Sequence, residues 1–134
     1  MAGWINEVEL RNLIKPRDLI YVGGSTNEPN GLLDLLQDVG DLRYIQQPIA
    51  AVNKRDLSAL GDNCTQETYF MTPSVRSGLE AGRVRFIPMH MRAIYDHIAN
   101  RPIDVSLLLA AKDKNGDLRF GLNNEYINAA IAGS

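Results

Sequence analysis

The run Leu19-Ile20-Tyr21-Val22-Gly23-Gly24-Ser25-Thr26-Asn27-Glu28-Pro29 constrains this chain more than any other stretch. A short apolar segment that stops on two glycines and gives way to Leu32-Leu33-Asp34-Leu35-Leu36 reads as buried strand, tight turn and helix, the local unit of an α/β domain. The glycines let the backbone turn sharply and approach a ligand, and free N–H groups at a new helix start favour negative charge. The loop is therefore expected to mark the ligand-binding edge.

The same alternation continues on both sides. Asn6 to Ile14 carries Val8, Leu10, Leu13 and Ile14 among charges, as a short amphipathic helix does. The helix over Leu32–Val39, with Gly40 as terminator, leads into a second strand at Leu42–Ile45, which completes a βαβ unit. Gln47 to Asn63 has no clear period and reads as a long excursion at a strand's carboxyl end, where loops carry function. A strand at Thr68–Met71 is followed by a helix opened by Thr72 as cap and Pro73 at its first position, and closed by Gly82. Val84–Pro88 is a strand, Met91–Ile98 a helix, and Ile103–Ala111 reads as a central strand covered on both faces. Lys112–Asp117 is a turn into Leu118–Gly121, an antiparallel hairpin. The tail Asn123–Ala132 is helical, and an alternating chain that closes on Gly133-Ser134 reads as though something follows. The expectation is one α/β domain over residues 1–134, with an open, mostly parallel sheet flanked by helices.

Composition narrows the function by exclusion. A net charge of −2 lacks the basic footprint of a general nucleic-acid binder. Apolar runs such as Val105–Ala111 are too short to span a bilayer, and the Trp4 region lacks the core of a signal peptide, so a cytoplasmic protein with no membrane partner is expected. The single cysteine, Cys64, cannot form an intrachain disulfide and reads as an incidental thiol among polar loop residues. His90 and His97 stand seven apart with no carboxylate at i+3 or i+4, so no metal site is expected.

The candidate binding residues gather at expected strand ends. Backbone N–H groups at Gly24 and the hydroxyls of Ser25 and Thr26 suit a carboxylate, phosphate or thioester oxygen, although a plain tight turn would look the same. Glu28 precedes Pro29 at a helix boundary, beside the positive end of the dipole; there it either orients a bound group or simply favours the helix start. His90 follows a strand and belongs at the same edge as the glycine loop, as a hydrogen-bonding pocket residue or a structural one. Arg76 opens a helix against the dipole, which suits a clamp on an anion, or a surface pair with Glu80 four residues on.

The order of segments resembles the amino-terminal part of the acetyl-CoA hydrolase/transferase family, which includes acetate and 4-hydroxybutyrate CoA-transferases. The resemblance runs through Ile14-Lys15-Pro16-Arg17-Asp18, Glu28-Pro29, Tyr69-Phe70-Met71-Thr72-Pro73-Ser74-Val75-Arg76 and Gly82-Arg83-Val84-Arg85-Phe86-Ile87-Pro88. It continues through Asp104-Val105, Asp113, Gly116, Gly121 and Glu125-Tyr126. It implies one of two similar α/β halves that pack together, with acyl groups carried as a covalent glutamyl-CoA thioester on a glutamate of the second half. Nothing here matches that glutamate, so the chain is expected to hold no catalytic residue and no covalent cofactor, with a coenzyme A thioester as substrate. The resemblance places Ser25, Asn27, Glu28, Gln46, Gln47 and His90 at strand ends facing the partner half. Ala110-Ala111-Lys112-Asp113 departs from the family's serine, two prolines and aspartate, which bears on acyl and acceptor specificity.

The expected function is thus one wall of an acyl-CoA and carboxylate pocket, completed by a carboxyl-terminal catalytic half in the same chain or a separate subunit. Self-association into a homo-oligomer is also expected, through an apolar patch around Val52, Leu57 and Leu60 or on the tail helix. Two other readings stay open: a non-enzymatic ligand-sensing domain, and a phosphosugar isomerase, for which only Ser25, Thr26 and Glu28 are in evidence.

Overall fold

The computed structural model describes residues 3–134. In chain order the elements are α1 (Glu7–Leu13), β1 (Leu19–Val22), α2 (Asn30–Leu35), β2 (Arg43–Gln46), β3 (Thr65–Thr68), α3 (Arg76–Glu80) and β4 (Val84–Phe86). They continue as α4 (Met91–Ala99), β5 (Val105–Leu107), β6 (Ala110–Lys112), β7 (Leu118–Phe120) and α5 (Ile127–Gly133). The first five strands form one parallel sheet in the order β4-β3-β2-β1-β5, and β6 and β7 form a separate antiparallel hairpin. The protein is an α/β domain with an open parallel sheet flanked by helices.

β1 explains why its sequence carries no polar alternation. Ile20 and Val22 point into a core with Leu33 of α2 and Leu36 just after it, Tyr44, Leu57 and Leu107, while Leu19 and Tyr21 point into a second core with Ile94 and Ile98 of α4 and Ala129 and Ala130 of α5. A strand covered on both faces must be apolar at every position. The chain steps from β1 outward to β4 and then crosses back to place β5 on the other flank of β1. That reversal makes β1 and β5 the switch point, and ligands of open α/β sheets bind beyond the carboxyl ends of such strands.

Several expectations are corrected. The apolar stretch Ile103–Ala111 supplies only a three-residue strand, at the sheet's edge and not its centre, and Ala110 and Ala111 belong to the exposed hairpin. Its leucines are apolar because Leu107 enters one core and Leu109 lines a surface groove of about 900 Å³ shared with Leu10, Leu13, Leu32 and Phe120. That groove exposes apolar surface; of the patch expected for self-association, Leu57 and Leu60 are buried, whereas Val52 and, on the tail helix, Ile131 are exposed. β3 ends at Thr68, where the strand was expected to begin, because polar Gln66 and Glu67 find partners across the fold, Gln66 Oε1 in Leu57 N and Glu67 in Arg101.

α2 stops at Leu35, short of Val39, and Gly40 is not its terminator. Tertiary bonds end the helix: Asp38, in the left-handed region at φ 66°, donates its N–H to the Leu60 carbonyl. Gly40 is needed for close approach, since a methyl group there would lie 2.8 Å from the Asp62 carbonyl oxygen. Cys64 is also no loop thiol; it is fully buried with Leu42 and Tyr44, and burial pushes its thiol upward in pKa. Gly82, by contrast, does close α3 in the left-handed region, and the hairpin turns through Gly116.

α4 is locked to the sheet by a mixed polar network. Tyr69 Oη lies 2.9 Å from His97 Nδ1, Arg101 Nη1 lies 3.3 Å from His97 Nε2, and the same guanidinium pairs with Glu67 at 2.8 Å. A guanidinium only donates, so Nε2 accepts and the ring proton sits on Nδ1 toward Tyr69. Burial, reinforced by the positive charges of Arg101 and Arg85 and opposed by Glu67, holds the His97 pKa below 6.5. The unfolded chain therefore binds more protons near pH 6 than the native state, and this group's stability contribution is lost as pH falls from 6.5 through the native value. The urea midpoint of the wild-type protein should drop more steeply between pH 7.5 and pH 5 than that of His97→Gln; parallel pH profiles would refute the assignment.

Candidate functional site

The glycine loop leaves β1 at the switch point itself: Gly23 N donates to the Leu107 carbonyl of β5 at 3.0 Å. The chain does not pass directly into a helix, as expected, but makes a 3-10 turn over Ser25–Asn27 before the six-residue α2. Ser25 is held in the left-handed region at φ 52°, which costs a non-glycine residue about 1–2 kcal/mol. Strain of this kind persists only where surrounding bonds impose it.

Asn53 imposes it. Its Oδ1 accepts from Ser25 N at 2.9 Å and its Nδ2 donates to the Ser25 carbonyl at 3.1 Å, so one amide clamps both sides of the strained residue. The same Nδ2 donates to Glu28 Oε2 at 2.9 Å, and Gln46 Nε2 from the end of β2 donates to that oxygen at 2.8 Å. Gln46 also reaches the Gly23 carbonyl at 3.3 Å. Glu28, Gln46 and Asn53 are all buried, and a buried carboxylate is tolerated because it receives hydrogen bonds from these two amides in place of water. Asn53 lies in the aperiodic 47–63 excursion and carries no local signal; only the fold reveals it.

Gly24 is required by contact and not by φ. A methyl group on it would collide with the Gln47 carbonyl oxygen and lie 3.1 Å from Glu125 Oε2. Gln47 is buried beside it. Asn27 is buried too, its side-chain amide donating to the Asn123 carbonyl. Of the loop side chains from Ser25 to Glu28 only Thr26 is exposed.

Six expected site residues, Gly24, Ser25, Asn27, Glu28, Gln46 and Gln47, are thus buried together at the carboxyl edge, with Thr26 on its surface. His90 and Arg76 do not join them. His90 is exposed and caps α4, its Nδ1 accepting from Ala93 N at 3.4 Å. Arg76 opens α3 in solvent, with Nε 3.3 Å from Glu80 Oε1. Glu125 is a further residue of the site: burial raises its carboxyl pKa against the opposing bond from Asn123 Nδ2, and its Oε2 has no partner among the described residues. Among the described residues no group of three His, Cys, Asp or Glu side chains could hold a metal, and no helix is long and apolar enough to cross a membrane.

The geometry makes the loop's dependence on Asn53 and Gly24 measurable. Asn53→Ala leaves Ser25 N and Glu28 short of partners and should destabilise the fold by about 3 kcal/mol in urea unfolding. Gly24→Ala forces an overlap with backbone that cannot rotate away and should destabilise by about 1–3 kcal/mol. Changes below a few tenths of a kcal/mol would show that the loop is adaptable.

No protein-family model matches this chain, and a search of curated proteins gives no match either.

Proposed function

We propose that this domain is one wall of an acyl-CoA pocket in a CoA-transferase or acyl-CoA hydrolase, with the nucleophilic glutamate supplied by a second half. The observation that carries the reading is the clamped glycine loop: a strained Ser25, fixed by Asn53 and a buried Glu28, stands at the switch point of a parallel sheet. Rigid loops at that position are built to hold a ligand in one geometry. The ordered resemblance of the sequence to the amino-terminal part of the acetyl-CoA hydrolase/transferase family supports the same reading and names the chemistry.

The roles divide by exposure. Buried Asn27, Glu28, Gln46 and Asn53 position the loop, and exposed Thr26 is what a thioester or pantetheine oxygen would meet. The chain's part in the reaction is binding and orientation. The acyl transfer itself, attack of a carboxylate on the thioester carbonyl with departure of the CoA thiolate, belongs to the second half. A ligand-sensing domain would use the same loop without turnover.

Titration of the isotope-labelled protein with coenzyme A, read by amide NMR, tests this. Shifts should concentrate at Gly24–Glu28 and Gln46–Gln47, acetyl-CoA should remain unhydrolysed, and mass spectrometry should find no adduct on this chain's carboxylates. Unmoved loop amides at millimolar coenzyme A would overturn the binding role, and an adduct on this chain would overturn the division of labour. Binding that never leads to turnover when a glutamate-bearing half is added would favour the sensing domain.

A further inference from the structure

The stretch between the hairpin and α5 lies across the glycine loop. Gly121 packs beside Asn27 Oδ1, Asn123 takes the Asn27 bond, and Glu125 reaches Gly24. Asn123 organises the stretch by bonding both the Glu125 carboxyl, at 2.8 Å, and the Glu125 N–H, at 3.0 Å. Leu122 in its middle projects fully into solvent. The stretch has the form of a strap resting on the site.

Under the strap the polar groups are unmatched. Seven buried side-chain oxygen or nitrogen atoms lack a hydrogen-bond partner among the described residues, and four of them, Tyr21 Oη, Gln47 Oε1, Glu125 Oε2 and Tyr126 Oη, belong to residues at this edge. Tyr21 and Tyr126 share one core cluster with Ile45, Ile94 and Ala129, and the Glu125 carboxyl and the Gln47 backbone carbonyl both abut Gly24. An unmatched buried polar atom is costly to leave in place, and native proteins contain few. Several at one sheet edge are what a site for a small polar guest looks like before it is filled.

We propose that Tyr21, Glu125 and Tyr126 form a buried subsite for the neutral carbonyl head of a short acyl thioester, entered when the 121–126 strap lifts. The inference rests on the acyl-CoA reading above and adds the place of the acyl group. Two phenol hydroxyls donate to a carbonyl oxygen, and the neighbouring isoleucines and Ala129 suit a short alkyl chain. The buried Glu125 carboxyl, whose Oε1 is held by Asn123, disfavours a free carboxylate anion beside it, since two carboxylates sharing one site repel. The subsite therefore prefers the thioester to the acid released from it.

The test uses the whole chain and two probes that lack the nucleotide, S-acetyl-N-acetylcysteamine and acetate. The thioester should shift the amides of Glu125 and Tyr126 and bind more tightly than acetate. Tyr21→Phe, and separately Tyr126→Phe, should weaken it about fivefold, the loss of one hydrogen bond of about 1 kcal/mol, with unliganded spectra confirming that each variant folds. Unmoved amides, equal binding by the Phe variants, or stronger binding of acetate would each overturn the subsite and leave solvent as the partner of these groups. A coenzyme A response at the loop without a thioester response refutes the subsite alone. A thioester response without a coenzyme A response sustains it and refutes the nucleotide wall.

Discussion

Everything at the carboxyl edge depends on one buried carboxylate and the two side-chain amides that satisfy it. Removing a carboxylate from water is unfavourable by several kcal/mol unless donors replace the lost hydration. Glu28 receives both of its bonds on one oxygen, from Gln46 at the end of β2 and Asn53 in the following excursion. Because Asn53 also grips Ser25 on both backbone sides, satisfying the charge and straining the loop are a single act. The loop, the sheet's end and the excursion are thereby one rigid unit.

That unit sits where the fold needs it. β1, buried on both faces, anchors the loop's entry, and the bond from Gly23 N to Leu107 ties it to the strand on the far side of the switch point. The arrangement leaves the glycine loop between two layers, with the Glu28 network beside the α2 face and the tyrosines beside the α4–α5 face. A buried charge of this kind specifies geometry more than it stabilises, since a well-packed apolar replacement is often no less stable.

Much of the gathering at this edge was readable along the chain because its parts fall at strand ends. Gly24, Ser25, Asn27, Glu28, Gln46 and Gln47 each follow an apolar segment that reads as a strand, and the sheet brings such ends to one edge. Asn53 and Glu125 were not marked as site residues, since Asn53 lies in an aperiodic stretch, Glu125 reads as part of the tail helix that begins only at Ile127, and their roles arise from partners 28 and 101 positions away, at Ser25 and Gly24. β3 was misplaced for a related reason: its polar Gln66 and Glu67 look like loop until Leu57 N pairs with Gln66 Oε1 and Arg101 with Glu67.

By itself the sequence determined the α/β alternation, the parallel βαβ start, the hairpin and the glycine turn, because these depend on local periodicity, backbone freedom and burial of contiguous apolar residues. The tertiary structure decided the rest: that Ile103–Ala111 forms an edge and a hairpin and not a central strand, that α2 ends where Leu60 meets Asp38, and that Cys64 is core. It also decided that the segment preceding α5 folds over the loop. Each of these turns on which distant group supplies a hydrogen bond or covers an apolar face, and that is a property of the assembled layers and not of any window of residues.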